Sequence, residues 1–143
     1  MSRAPKPIHL NNVQRVIEHQ SKLPNGDRQA ICDVVNKAVD QLRKGGGLPE
    51  VRSLMYAFNM AEALSDLGIC SDRNSKEVIC GGQIALRLLI DRHRENNSWT
   101  LRSSELLALT EAAWWHCTQL SLCSLGEYLK SKRRVDEFME RNS

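Results

Sequence analysis

The sequence predicts an all-α protein, a compact bundle of five or six helices with a long C-terminal helix. Apolar residues recur at steps of three and four along several segments, and no stretch alternates apolar and polar residues as a strand would. The 143 residues are 41% apolar and 26% charged, which is typical of one globular domain. We therefore expect a single helical domain over residues 1–143, with a loose N-terminal arm at about residues 1–8.

Two helices are predicted before residue 45. The first covers residues 11–22 and ends where Pro24 and Gly26 interrupt the pattern. The second runs from about Asp27 to Lys44, with Val35 and Leu42 on its apolar face. The triglycine 45–47 should terminate it, because glycine favours the backbone conformation that follows a helix. These glycines follow a helix rather than a strand and lack the phosphate-loop pattern, so no phosphate site is expected there.

Two further helices are predicted in the middle of the chain. One begins near Pro49, a favourable first-turn residue, and ends at Gly68. The other covers about residues 75–95. The adjacent pair Gly81 and Gly82 can lie inside this helix or at its start, and the sequence leaves that choice open. Trp99 follows in a polar connection, and we expect it to fold back as a lid on the core.

The last helix should begin at Ser103 or Ser104, either of which can cap it. It could end near Ser124 or continue to Arg141, and a break near residue 124 is plausible because small and polar residues weaken that part.

The adjacent tryptophans of this helix point about 100° apart. The helical wheel places Trp114 with the ordinary core. It places Trp115 on the other side of Trp114, in line with Leu122 and Leu129 at steps of seven. The helix is then apolar around more than half of its circumference, so it is either central in the bundle or has a second partner.

The favoured functional hypothesis is protein binding through this C-terminal helical region. Trp115, Leu122 and Leu129 would supply buried contact area, and Arg133 and Arg134 would orient an acidic partner. The partner would be another protein or a second copy in a homodimer, and the domain would act as a non-enzymatic accessory regulator or inhibitor. No secretory signal is evident and the five cysteines are odd in number, so we expect reduced thiols and a cytoplasmic location. No membrane partner is expected, because no segment has the length and apolar character of a membrane span or the amphipathic pattern of an interfacial anchor.

The first alternative is a nucleic-acid-binding regulator. Its contacts would come from two basic clusters, which comprise Arg87, Arg92 and Arg94 in one segment and Lys130, Lys132, Arg133 and Arg134 in the other. The net charge of +3 is too balanced to indicate nucleic acid by itself.

The second alternative is an enzyme whose site is assembled from distant residues, such as His116 with Cys117 or Cys123. No local catalytic motif supports it, and two ligands do not make a zinc site. We therefore expect no catalytic residues, no metal and no cofactor.

Overall fold

The computed structural model describes residues 20–142, which form five helices packed against each other. In chain order these are α1 (Asn25–Arg43), α2 (Leu48–Asp66), α3 (Arg73–Asn96), α4 (Ser103–Leu122) and α5 (Leu125–Arg141). The prediction of an all-helical protein is confirmed for this range, which contains no strand beyond an isolated bridge between Lys22 and Ser124. The predicted arm at residues 1–8 and all but the end of the predicted helix over residues 11–22 lie outside the described residues.

The triglycine ends α1, as expected. Gly45 has a φ of +98°, a left-handed conformation that favours glycine. The amides of Gly45 and Gly46 then donate to the carbonyl oxygens of Leu42 (3.1 Å) and Gln41 (2.7 Å). These bonds satisfy carbonyl groups that the end of a helix would otherwise leave free. The chain therefore reverses sharply into α2.

Helix α2 is the centre of the bundle, because it packs against each of the other four helices. Leu54, Phe58 and Leu64 of α2 are fully buried. Helices α3 and α4 form the most extensive helix pair, whereas α5 packs mainly against α2. One outward side of the α3–α4 pair is consequently left without a helical neighbour within residues 20–142.

Gly82 lies inside α3, where it allows the close approach of two other helices. A Cβ atom placed on Gly82 would lie 2.5 Å from the Cβ of Ala112 in α4 and 3.0 Å from Cε2 of Phe58 in α2. A Cβ placed on Gly81 would meet nothing within 4 Å. Close packing therefore requires glycine at position 82 but not at position 81.

The connection between α3 and α4 is folded onto the core. Trp99 packs against the main core cluster, and its ring stacks on that of His93 with a centroid distance of 3.8 Å. This position agrees with the expected lid. Arg92 of α3 reaches across the connection to Glu105 of α4, with N–O distances of 2.9 and 2.6 Å. An ion pair thus joins the end of α3 to the beginning of α4.

The last two helices are separated by a sharp break at residues 123–124. Ser124 caps α5: its Oγ accepts from the amide of Glu127 (3.1 Å), while its own amide donates to Oε1 of Glu127 (2.8 Å). The amide of Leu125 donates to the carbonyl oxygen of Ser21 (2.7 Å), so residues 21–23 are joined to this break. Over residues 20–142, no helix combines the length and apolar character needed to cross a bilayer.

Candidate interaction surface on helices α3 and α4

Helix α4 exposes three large apolar side chains on one outward face. The exposed fractions are 59% for Leu107, 61% for Trp114 and 55% for Leu122. Steps of seven and eight residues rotate by about 20° and 80° in opposite senses, so the three side chains share one face of the helix. We call these three residues the α4 outer strip. Trp115 is half-buried beside it, and its ring meets that of Trp114 edge-on with a centroid distance of 5.2 Å.

The placement of the two tryptophans corrects the sequence analysis. Trp114 was expected in the core and is exposed, whereas Trp115 is half-buried. The reason is that three polar residues of α4, Glu105, His116 and Gln119, are buried. Their burial rotates the core-facing arc away from Trp114. The adjacent indoles also contact each other, although they diverge along the helix.

Helix α3 adds exposed apolar side chains beside α4. Ile84 is 54% exposed and Leu88 is 47% exposed. They follow the exposed Cys80 at steps of four residues, so all three share one face of α3. Sequence analysis did not single out Ile84, Leu88 or Leu107 as surface residues. The step of seven between Leu107 and Trp114 was the signal that could have identified the strip.

The predicted seam of Trp115, Leu122 and Leu129 does not run along one helix. The break at residues 123–124 separates Leu129, which is 36% exposed on α5, from the other two residues on α4. The step of seven from Leu122 to Leu129 therefore does not place the two side chains on one helix face, since the helix axis changes direction between them. Leu122 remains part of an exposed apolar face, whereas Leu129 belongs to a different helix.

The arginines predicted to flank the seam have different surroundings. Arg134 forms an ion pair with Asp66 at the end of α2, with an N–O distance of 2.7 Å. Within residues 20–142, Arg133 is exposed and has no ion pair or side-chain hydrogen bond. Lys132 donates to the hydroxyl of Tyr56 (3.0 Å) and to Oδ2 of Asp136 (3.1 Å). The contacts of Lys132 and Arg134 join α5 to α2.

The basic residues of α3 are also divided between two surroundings. Arg92 is engaged with Glu105, and this guanidinium holds the pKa of the Glu105 carboxyl below its ordinary value. Arg87 and Arg94 are exposed and form no ion pair with another described residue. The two predicted basic clusters lie on α3 and α5, and both helices pack against α2. Of the seven basic residues, Arg87, Arg94, Lys130 and Arg133 remain without a described charge partner.

Of the predicted cysteine and histidine candidates, His116 and Cys123 are buried and Cys117 is half-buried. Burial lowers the pKa of His116 to about 4, and its Nδ1 lies 3.2 Å from Oε1 of Gln119. Burial raises the pKa of Cys117 to about 12, with a further contribution from the thiol of Cys32, and raises that of Cys123 to about 11. A reactive cysteine instead requires a lowered pKa. Residues 20–142 contain no group of three or more His, Cys, Asp or Glu side chains placed to hold a metal ion.

The arrangement that stands out chemically is an apolar surface on two adjacent helices. A large exposed indole can bury much area against a partner while ordering few bonds. Glu111, which is exposed, and Thr118, which is half-buried, lie between the members of the α4 outer strip, so polar side chains interrupt it. No protein-family model, curated protein or solved structure matches this chain.

Proposed function

We propose that this protein is a small, non-enzymatic protein-interaction module of the cytoplasm that acts as an accessory regulator or inhibitor. Its binding surface is the α4 outer strip of Leu107, Trp114 and Leu122, with Ile84 and Leu88 of α3 beside it. The observation that carries the proposal is the 61% exposure of Trp114 on the same helix face as two other exposed apolar side chains. Covering such side chains releases water from apolar surface and favours association.

A second copy of the chain is a suitable partner for this surface. Leu107 precedes Trp114 by seven residues, and Leu122 follows it by eight. Two α4 helices that pair in antiparallel fashion around Trp114 would therefore place Leu107 of each copy against Leu122 of the other. The same patch serves both copies, as a twofold interface requires. Glu111 would then face Thr118, so the pairing brings no like charges together.

Self-association is tested by sedimentation equilibrium over a range of protein concentrations. We expect a concentration-dependent mass that approaches a dimer for the native sequence. Trp114→Ala should weaken association by about tenfold or more, because truncation of a central tryptophan removes a hot-spot contact. Phe138→Ala is the matched control, since Phe138 is a 48% exposed aromatic residue on α5, outside the proposed surface, and should leave association unchanged.

A charge exchange tests the antiparallel register. Leu107→Glu and Leu122→Arg should each weaken the dimer, because each places an unpaired charge against an apolar side chain. The double variant should recover association, since the carboxylate introduced at position 107 would then face the guanidinium introduced at position 122 of the other copy. A native protein that stays monomeric at about millimolar concentration would contradict self-association. Two single variants that weaken the dimer without recovery in the double variant would contradict this register.

A further inference from the structure

A second apolar feature lies on the other side of the bundle, away from the α4 outer strip. It is a groove of about 420 Å³ between α1 and α2, with contributions from α4 and α5. Ala30 and Val34 of α1 line it together with Met60 of α2, Tyr128 of α5 and His116 of α4. This volume lies within the range of small-molecule sites, which are mostly apolar with a few placed polar groups.

The hydrogen bonds of Gln119 determine which nitrogen of His116 carries the proton. Nε2 of Gln119 donates to the carbonyl oxygens of Ala61 (2.9 Å) and Ile69 (3.1 Å). The amide oxygen of Gln119 must therefore be the atom that faces Nδ1 of His116, at 3.2 Å. An amide oxygen only accepts, so Nδ1 is the protonated nitrogen and Nε2 carries a free lone pair.

Nε2 of His116 is thus a hydrogen-bond acceptor in the lining of an apolar groove. Among residues 20–142 it has no hydrogen-bond partner, and it is not among the fully enclosed polar atoms, so it keeps part of the 1% of His116 that remains exposed. A nearly enclosed acceptor that no protein group satisfies is available to a donor from a ligand or from water. The low pKa of His116, about 4, keeps the ring neutral near neutral pH, so this nitrogen accepts rather than donates.

We propose that this groove is a binding site for a small, uncharged, mainly apolar molecule that donates one hydrogen bond, such as an alkylphenol or a long-chain alcohol. Its hydroxyl would donate to Nε2 of His116, and its apolar body would lie along Ala30, Val34 and Met60. An anion or a carbonyl compound without a donor would leave Nε2 unsatisfied. The site shares no residue with the α4 outer strip, so it is independent of the proposed self-association.

A matched pair of probes tests the hydrogen bond, namely 4-pentylphenol, which has a donor, and its methyl ether 4-pentylanisole, which has none. Binding to the full-length protein is followed by amide and imidazole ¹⁵N chemical shifts. We expect saturable shifts at the groove residues and at Nε2 of His116 with the phenol. The ether should bind about five- to tenfold more weakly, as expected for one lost neutral hydrogen bond.

Variants separate the hydrogen bond from the groove itself. His116→Phe should bring the two probes to equal affinity. Ala30→Trp should block the groove from an exposed helix position, so it should abolish phenol binding without loss of fold. Asn36→Trp is the control, since Asn36 is exposed on α1 and does not line the groove. Trp114→Ala should leave phenol binding unchanged.

Three results would overturn the proposal. The first is the absence of saturable binding by the phenol at its solubility limit. The second is equal affinity for phenol and ether in the native protein, which would leave an apolar groove without donor recognition. The third is a change in the chemical shifts of the groove residues when only the protein concentration is raised, which would mean that a second copy of the chain occupies the groove.

Discussion

At the scale of single residues, the orientation of α4 depends on side chains that composition alone would place at the surface. Glu105, His116 and Gln119 are 4%, 1% and 0% exposed. Each has a specific partner: Arg92 for Glu105, Gln119 for His116, and two backbone carbonyls for Gln119. Burial of a polar group is tolerated when its hydrogen bonds are replaced within the protein. These contacts therefore fix which side of α4 faces inward.

The burial of His116 predicts a pH-dependent stability. Its pKa is about 4 in the folded protein against an ordinary value of 6.5. Between these values the unfolded chain binds the proton and the folded chain does not. The free energy of unfolding should therefore fall as the pH is lowered from 6.5 towards 4, with a contribution of about 3 kcal/mol from this residue.

Urea denaturation of the native protein and of His116→Phe, across this pH range, measures that contribution. The native protein should lose stability more steeply than the variant as the pH falls, because only the native protein carries His116. All other titrating groups are the same in both proteins. Parallel dependence on pH in the two proteins would show that His116 does not carry the effect.

At the scale of elements, the contact between α3 and α4 depends on the missing side chain of Gly82. Helix propensity alone would favour alanine over glycine by about 1 kcal/mol at an exposed position inside a helix. Packing reverses this preference at Gly82, because the added carbon would lie 2.5 Å from Cβ of Ala112. The two helices would have to move apart, or Phe58 would have to shift.

The adjacent glycines provide a matched pair of variants for this argument. Gly82→Ala should lower the free energy of unfolding by about 1–3 kcal/mol through overpacking. Gly81→Ala has open space around the new carbon and should raise it by about 0.5–1 kcal/mol. Thermal and urea denaturation of both variants measures the two changes. Equal effects of the same sign would contradict the packing argument.

At the scale of the whole molecule, the five described helices differ in how firmly they are held. Helix α2 buries nine residues and contacts the other four helices, whereas α5 fully buries only Ser131 and Val135. The polar contacts that join α5 to α2 through Asp136 and Arg134 are exposed to solvent. Exposed ion pairs contribute little stability, typically below about 1 kcal/mol. Helix α5 is therefore the element with the smallest share in the core.

Native-state amide hydrogen exchange should report this difference. We expect the amides of α5 to exchange through a local opening that leaves α2 protected, because few apolar contacts have to be broken. Exchange of both helices at one common rate, with equal dependence on denaturant, would instead mean that α5 opens only when the whole domain unfolds.

The sequence by itself determined the fold class and most helix boundaries. Helices α1 to α3 begin and end, and α4 begins, within about two residues of the predicted positions, because glycine, proline and capping residues act on the backbone locally. The break near residue 124 was also visible as a weakness, and Ser124 with Glu127 forms a local cap there. These features need no information from distant parts of the chain.

The tertiary structure alone decided which apolar side chains are left exposed. Gln119 is buried because it bonds to Ala61 and Ile69, which are 58 and 50 residues away in the sequence. Sequence periodicity counts such a residue as polar and so misplaces the core-facing arc, which is why Trp114 was assigned to the core and is exposed instead. The same distant contacts expose Leu107 and bring His116 to the groove between α1 and α2. A side chain's place depends on partners that only the folded chain brings together.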